Sequence, residues 1–341
     1  MSNQENDVPS NIRPVKNIKG LLRFCMEATR SEDAPHPTDS EIFEPLTEER
    51  KKWLENALAC MTVNPVERMM ICLTAIEEAE QDTESGTEQQ IRALTELQEW
   101  AEDLDIAGDF IKINGLRIVP KLLSSEVSEL RWRCLELLGN LAQNNPTAQT
   151  ALLTLKLLPA FLLLADTDPN PKVQIKALYA ISCLVRSNTE AHTQLLAHDG
   201  LVVFVRALGN EEEKLKVKAA FLVSAICNSN PALKDNLVAI GAVEQLVSLL
   251  KEESHGSTHE HVMSALLTLV TDHTKAWEKC SSPELGVKSL LQQRIQFLEG
   301  KEQYEEEREY AQQLLKLLNS PSSQVSTHAS PSNQALTILS L

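Results

Sequence analysis

Residues 173–189 read VQIKALYAISCLVRSNT, and two other stretches of the chain align with them without a gap. These stretches are LRWRCLELLGNLAQNNP at 130–146 and LKVKAAFLVSAICNSNP at 215–231. In two of the copies, apolar residues recur at i, i+4, i+8 and i+11, which is the spacing of one face of an α-helix. The members of this stripe are Val173, Ala177, Ile181 and Leu184, and then Leu215, Ala219, Val223 and Ile226. One copy cannot cover its own apolar stripe, so neighbouring copies have to stack.

A shorter apolar motif precedes each long helix and repeats with it. It reads GLRIVPKLL at Gly115, KLLPAFLLL at Lys156, GLVVFVRAL at Gly200 and GAVEQLVSL at Gly241, with starts 41, 44 and 41 residues apart. A helical period of about 40–47 residues is typical of armadillo and HEAT solenoids. No stretch shows the sustained alternation of a β-strand. The sequence therefore predicts an all-α fold: a right-handed superhelical solenoid of armadillo repeats with helical capping segments.

The chain divides into five regions of different composition. Residues 1–40 are polar and interrupted by proline, which predicts a mostly flexible amino-terminal arm. Residues 41–112 predict an acidic helical amino-terminal cap, since 18 Asp and Glu face five Lys and Arg between 41 and 110. Residues 113–282 hold about four armadillo repeats, 283–319 predict a carboxyl-terminal helical cap, and 320–341 predict a disordered tail.

The composition limits the classes of partner and the compartment. Because 32 Lys and Arg stand against 48 Asp and Glu, the net charge is −16, which disfavours binding to nucleic acid or to anionic membranes. The longest apolar run, Leu152 to Ala165, is interrupted and too short to span a bilayer, and the amino terminus lacks a secretory pattern. The seven cysteines form no CxxC pair, so we expect buried thiols in a reducing compartment, cytoplasmic or also nuclear.

One column of positive charge recurs in register with the repeat. Arg133, Lys176 and Lys218 occupy the same position of the three aligned helices, and Tyr179 and Phe221 follow one turn later. In armadillo proteins the third helix of each repeat lines the concave groove, so the column predicts a basic, aromatic-edged groove that favours an acidic protein surface. The alternative is that these cations are ordinary solvated side chains. Further cations expected on the same face are Arg131, Lys172, Lys214 and Lys216.

The motifs of enzymes and of metal or nucleotide sites are missing from the sequence. His255, His259 and His261 lie close together but lack the HExxH spacing, and Gly300–Lys301 does not belong to a GxxxxGK phosphate loop. No serine or cysteine elbow is present. We therefore expect a protein that is not an enzyme, with no catalytic residues, no metal and no cofactor.

Several blocks of sequence occur in a fixed order along most of the chain. They are NIKGLLRFCMEAT near the start, LTEERKKWLENAL, LRWRCLELLG, KALYAISCLVR, LKVKAAFL, and HEHVMSALLTLVTD followed by PELGVKSLL. In this order they resemble the armadillo-type nucleotide exchange factors of the 70-kDa heat-shock chaperones. The resemblance implies a non-catalytic co-chaperone whose partner is the chaperone's nucleotide-binding domain.

This resemblance also implies a mechanism and a set of site residues. The concave face of the family grips one lobe of that domain and favours its open form, which promotes release of ADP and of bound substrate. The residues expected in this grip are Arg133, Lys176, Tyr179, Lys218, Phe221, His259 and His261. The amino-terminal arm is similar to the segment that helps eject substrate, and its matching residues are Asn17, Gly20, Leu21, Leu22 and Phe24. Trp132 is assigned mainly to packing between repeats.

Two other functions stay open at the level of sequence. One is an armadillo scaffold or adaptor that binds a linear peptide or regulates a chaperone-linked ubiquitin ligase. The asparagine ladder of import receptors is missing, since only Asn140 is present and Cys183 and Ala225 stand at the matching positions. The other function is inhibition of the chaperone's refolding cycle. A solenoid capped at both ends has no evident need to self-associate, so we expect a monomer.

Overall fold

Helices make up most of the chain that the computed structural model describes, which is residues 64–320 apart from 81–82, 187, 253–255 and 257. No strand occurs among these residues, so the all-α prediction is confirmed. The predicted arm at 1–40, the start of the predicted amino-terminal cap and all of the predicted tail after Ser320 lie outside the described residues. The α-helices are α1 Pro65–Glu78, α2 Glu84–Trp100, α3 Leu104–Lys112, α4 Val119–Leu123, α5 Ser128–Ala142, α6 Pro146–Thr154, α7 Leu157–Thr167, α8 Pro171–Val185, α9 Thr189–Ala197, α10 Gly200–Leu208, α11 Glu213–Ser229, α12 Leu233–Ala239, α13 Ala242–Leu250, α14 Thr258–Val270, α15 Thr274–Ser281, α16 Val287–Leu298 and α17 Glu305–Asn319.

Groups of three helices repeat along the described chain: a short first helix, a second helix and a third helix. The groups are α3–α5, with a 3-10 helix at Gly115–Ile118 in front of α4, then α6–α8, α9–α11, α12–α14 and α15–α17. The third helices of neighbouring groups pack side by side in the order α2, α5, α8, α11, α14, α17, and from α5 onward each rests on the second helix of its own group. The segment 283–319, predicted as a cap, thus contains two helices with the order found in a repeat.

A residue with left-handed backbone stands directly before every second helix or its leading 3-10 turn. These residues are Asn114, Lys156, Asp199, Gly241 and Gly286, with φ of 57°, 55°, 52°, 87° and 60°. They are 42, 43, 42 and 45 residues apart. The apolar motifs that the sequence analysis started at Gly115 and Gly200 therefore begin one residue after the left-handed residue, whereas the motifs at Lys156 and Gly241 begin on it. In the first four cases this residue follows within two residues of the end of the first helix and redirects the chain, whereas Gly286 lies five residues after the end of α15. At Lys156 the two flanking helices meet at 84°.

Asparagine side chains begin several of the helices. Asn145 Oδ1 accepts a hydrogen bond from the Ala148 amide at 3.1 Å, and Asn188 Oδ1 accepts one from the Ala191 amide at 3.0 Å. Such caps satisfy amides that have no partner within the helix. The polar turns that follow α5 and α8 in the sequence therefore contain the start signals of α6 and α9.

The predicted apolar stripes lie in the core. All eight stripe residues of α8 and α11 are at most 1% exposed, which confirms the helical periodicity. They belong to one continuous apolar cluster that extends from Met69 in α1 to Leu318 in α17. Burial of each large side chain stabilises the fold by about 1.5–3 kcal/mol, so the stacked groups share one core that no single group could form.

The apolar run at 152–165 and the cysteines also have structural explanations. Within the described residues no single helix has the length and composition to cross a membrane, and the run is divided between α6 and α7. The five described cysteines are free and buried, as predicted; they are Cys72, Cys134, Cys183, Cys227 and Cys280. Burial raises the pKa of the Cys72 and Cys280 thiols to about 12, so these thiols are protonated and unreactive at neutral pH.

Candidate protein-binding face

One side of the row of third helices is open to solvent. Positions i, i+4 and i+7 of α5, α8 and α11 form three columns across this row, and none of their nine side chains is buried. The columns are Glu129, Lys172 and Lys214, then Arg133, Lys176 and Lys218, then Glu136, Tyr179 and Phe221. His261 of α14 continues the middle column. We name this surface the third-helix face.

The charge of Arg133 is neutralised within the chain. Its Nε donates to Glu129 Oε1 at 3.0 Å, one turn earlier on α5, and its Nη1 donates to Thr95 Oγ1 of α2 at 2.9 Å. The guanidinium also lies 4.5 Å from the ring centroid of Trp132. Arg133 therefore links two neighbouring third helices and offers little uncompensated charge to a partner.

The charge of Lys176 is neutralised in the same way. Its Nζ donates to Glu136 Oε1 at 2.5 Å, which ties α8 to α5. The other carboxylate oxygen of Glu136 accepts a hydrogen bond from Gln98 Nε2 of α2 at 2.9 Å. Glu136 thus connects three consecutive third helices.

Lys218 differs from the other two members of its column. Among the described residues it makes no hydrogen bond and no ion pair, although its side chain is partly buried. Burial and the neighbouring Lys176 ammonium lower the pKa of Lys218. Lys214, one turn earlier on α11, is exposed and also has no partner among the described residues. Among the described residues of the third-helix face, the lysines without a carboxylate partner are therefore Lys214 and Lys218 on α11, together with Lys172 on α8.

The aromatic column combines a packed tyrosine with a partly exposed phenylalanine. The Tyr179 hydroxyl donates to Asn140 Oδ1 at 2.9 Å. Its ring covers Gly139, where a Cβ would lie only 2.4 Å from Tyr179 Cε1. Asn140, the single asparagine at the ladder position, is thus engaged by the neighbouring repeat. Phe221 on α11 lies one turn after Lys218 and is half-buried.

The two predicted histidines have different environments. His261 is partly exposed beside Lys218; burial and that ammonium lower the pKa of its imidazole, while Glu306 opposes them. His259 is only 4% exposed, and its Nδ1 accepts a hydrogen bond from the Gly256 amide at 3.2 Å. His259 therefore lies beneath the surface at the start of α14. His255 lies outside the described residues, as do the predicted arm residues Asn17, Gly20, Leu21, Leu22 and Phe24.

Two of the cations expected on this face do not add free charge to it. Arg131 is buried, and its Nε and Nη2 donate to the Asp168 carboxylate at 2.7 and 3.0 Å. Lys216 Nζ lies 3.5 Å from Glu252 Oε2. Both residues stand two positions before a member of the Arg133 column, and their partners lie at the end of the second helix in the next group. The expectation that they add positive charge to the third-helix face was therefore wrong.

Trp132 and Lys172 form a contact between two groups. Trp132 of α5 is partly buried, and Lys172 Nζ of α8 lies 3.3 Å from its ring centroid. Such a cation–π contact stabilises by about 0.5–1 kcal/mol at an exposed site. This position agrees with the expectation that Trp132 packs between repeats.

Sequence reasoning missed the carboxylates that neutralise the column. The i, i+4 spacing of Glu129 and Arg133 on α5 was a signal for their pair. The pair between Glu136 and Lys176 had no such signal, because these residues are 40 positions apart and meet only through the packing of α5 against α8.

Comparisons with known proteins identify relatives of the chain. The model described as the SIL1/FES1/HPBP1 C-terminal domain matches residues 106–208, and the model described as nucleotide exchange factor Fes1 matches residues 18–110. Hsp70-binding protein 1 of Mus musculus is 38% identical over 315 residues, which cover 89% of this chain and 86% of that protein. Hsp70-binding protein 1 of Homo sapiens is 38% identical over 313 residues, covering 89% and 85%.

A solved structure supports the fold. A designed armadillo repeat protein superposes with a TM-score of 0.60 at 21% identity, over 73% of this chain and 98% of the designed one. The prediction of an armadillo-type solenoid is confirmed.

Proposed function

The chain belongs to the family of SIL1, FES1 and HPBP1 nucleotide exchange factors, and on this basis we propose that it binds the nucleotide-binding domain of a 70-kDa heat-shock chaperone and promotes release of ADP. The third-helix face is the proposed contact surface and forms the concave side of the solenoid. The chain acts as a monomer, and its amino-terminal arm assists release of the chaperone's bound substrate.

The charge distribution is the observation that favours this face. The whole chain has a net charge of −16. In contrast, the column positions on α8 and α11 hold Lys172, Lys176, Lys214 and Lys218 and no acidic side chain, and only the charge of Lys176 is balanced, by Glu136 on α5. A local positive surface on an acidic protein attracts an acidic partner surface, whereas the net charge of −16 on every copy opposes self-association.

The proposed mechanism requires binding energy and no covalent step. Tight nucleotide binding needs the two lobes of the chaperone domain to be closed on the nucleotide, so a protein that prefers the open form increases its population. Moving such an equilibrium from 1:99 to 99:1 takes about 5.5 kcal/mol of differential affinity. An interface of standard size, about 1,600 Å² in total, is able to supply this difference.

Stopped-flow release of a fluorescent ADP analogue from purified chaperone tests the proposed function. We expect stoichiometric amounts of the full chain to raise the release rate strongly. A release rate that stays at its basal value would contradict the proposal and favour a scaffold instead.

Charge reversal then tests the surface. We expect the double substitution Lys172→Glu and Lys214→Glu to weaken the acceleration about tenfold, because both exposed side chains lie in one column of the third-helix face. The matched control is Lys251→Glu with Lys288→Glu, which changes two exposed lysines at second helices by the same total charge. Equal effects of the two double variants would exclude a specific contribution of this face.

A further inference from the structure

The three cations of the middle column differ in how their charge is compensated. Arg133 and Lys176 are each paired with a carboxylate of the chain itself. Lys218 has no such partner among the described residues, and the groups near enough to influence it are Lys176, Cys183 and His261. None of these three supplies a negative charge at neutral pH, because burial raises the pKa of the Cys183 thiol to about 11.

This environment is unfavourable for a free ammonium. A partly buried charge loses hydration, and without a hydrogen-bonding partner this loss has no compensation. The positive charge of Lys176 adds repulsion. Residues that violate local stability rules in this way are concentrated at functional sites, where a partner supplies the missing interaction.

We propose that Lys218 is the anchor for one aspartate or glutamate side chain on the partner's surface, and that Arg133 and Lys176 stabilise the face without contacting an acidic residue of the partner. This inference rests on the proposed function and identifies the chemistry of its contact surface. Lys214 on the preceding turn and His261 on α14 flank the anchor. The Glu306 carboxylate of α17 influences the imidazole of His261, so the side of the anchor towards Lys214 is the more favourable approach for an incoming carboxylate. The half-buried ring of Phe221 on the following turn gives the contact an apolar border.

The arrangement fits what is known of energetically dominant contacts. Such contacts are central, partly preformed and shielded from water by their neighbours. Binding gains more free energy when the ion pair is formed by a side chain that is already partly dehydrated than when it is formed by a fully hydrated one. The reason is that part of the desolvation cost is present in the free protein before the partner binds. Lys176 offers no comparable gain, because an acidic partner would have to displace Glu136.

Binding of the full chain to purified chaperone, measured by isothermal titration at 50 and 300 mM salt, tests the anchor. We expect Lys218→Met to weaken affinity about tenfold at the lower salt concentration and to reduce the dependence of affinity on salt. Lys218→Arg keeps the charge and is expected to bind within about threefold of the wild type.

The matched control removes a complete internal pair. Lys176→Met combined with Glu136→Gln leaves the net charge unchanged and eliminates the ion pair between α5 and α8. We expect this double variant to bind within about threefold of the wild type, because its two charges cancel before the partner arrives.

A stability measurement separates anchoring from folding. Because Lys218 has no partner within the described chain, Lys218→Met should unfold at the same or a higher urea concentration than the wild type. Weaker binding together with unchanged or higher stability is the expected signature of the anchor.

The outcomes distinguish this inference from the proposed function. If the wild type binds the chaperone and Lys218→Met binds equally well, the anchor is wrong and the exchange function stands. The same conclusion follows if the double variant Lys176→Met with Glu136→Gln loses as much affinity as Lys218→Met. A lower urea midpoint for Lys218→Met would assign Lys218 to folding and also overturn the anchor. A wild type that neither binds the chaperone nor accelerates ADP release overturns both.

Discussion

Gly139 determines how closely two neighbouring third helices approach each other. The ring of Tyr179 from α8 occupies the space that a side chain at Gly139 on α5 would need. The Tyr179 hydroxyl donates a hydrogen bond to Asn140, which is the residue after Gly139. A missing side chain on one helix therefore accommodates an aromatic ring from the next. This contact fixes the position of the Tyr179 ring on the third-helix face.

We predict that Gly139→Ala lowers the free energy of unfolding by about 1–3 kcal/mol, because the added methyl group would displace the Tyr179 ring. Urea denaturation followed by circular dichroism measures the change. The control is Gly108→Ala in α3, where a Cβ meets nothing within 4 Å. That substitution should raise stability by about 0.5–1 kcal/mol through helix propensity alone. If both substitutions changed the free energy of unfolding in the same direction, the close contact between Gly139 and the Tyr179 ring would not control stability.

Individual side chains show where sequence-based prediction of the site reached its limit. The repeat identified Arg133, Lys176 and Lys218 as one column, since a periodic pattern fixes position along each helix. It did not reveal that Glu129 and Glu136 neutralise the first two, because an ion pair depends on rotamers and on the register between helices. The position of Arg131 likewise follows from Asp168 in the next group and not from any local pattern.

Among the elements, the second helices depend on the left-handed residue before each of them. Glycine adopts this backbone without a steric penalty, whereas a residue with a Cβ pays about 1–2 kcal/mol. Gly241 and Gly286 meet the requirement with glycine, and Asn114 and Asp199 have side chains that tolerate it. Lys156 is the exception in this series.

We predict that Lys156→Gly raises the free energy of unfolding by about 0.5–1 kcal/mol. Glycine relieves the steric strain of the left-handed backbone at φ 55°, and this gain outweighs the larger conformational entropy that glycine gives to the unfolded chain. The urea midpoint measures this gain. Gln292→Gly in the middle of α16 is the control, and it should lose about 1 kcal/mol because the backbone there is helical. A loss of stability in both variants would show that the left-handed site is not strained by lysine.

The helices themselves were largely predictable. The stripes of α8 and α11 follow from the 3.6-residue period, which survives in the buried positions. The one-residue error in the second-helix motif arose because three of the five left-handed residues are not glycine, so the start of the helix had no uniform marker. In α16 the sequence VKSLLQQRIQFL is more polar than its counterparts, which concealed the last group of helices.

On the scale of the whole molecule, three histidines link stability to pH. His192 is buried, with its imidazole near the Ser229 hydroxyl and the Asn230 amide, and burial lowers its pKa below the usual value of 6.5. Burial also lowers the pKa of His261 and His273, although Asp235 partly opposes this effect at His273. In all three, the unfolded chain binds a proton more readily than the folded chain.

We therefore predict that these histidines destabilise the protein as the pH falls below about 6.5, with the loss continuing until the folded-state pKa values are reached. Thermal unfolding at pH 7.5 and 5.5 measures the total effect of pH. His192→Gln isolates one contribution, because glutamine keeps a polar group and cannot titrate. The variant should lose less stability than the wild type between the two pH values, and identical losses would exclude His192 as a source.

The lateral bonds between third helices make the repeats of this protein non-interchangeable. Lys176 requires Glu136 in the preceding unit, whereas the equivalent position of its own unit is Tyr179. A tandem duplication of the unit α6–α8 would place the second copy of Lys176 opposite Tyr179 and deprive it of its counter-ion. The solenoid is therefore an ordered series of distinct modules, and gain or loss of one unit would leave side chains at the new junction without their partners.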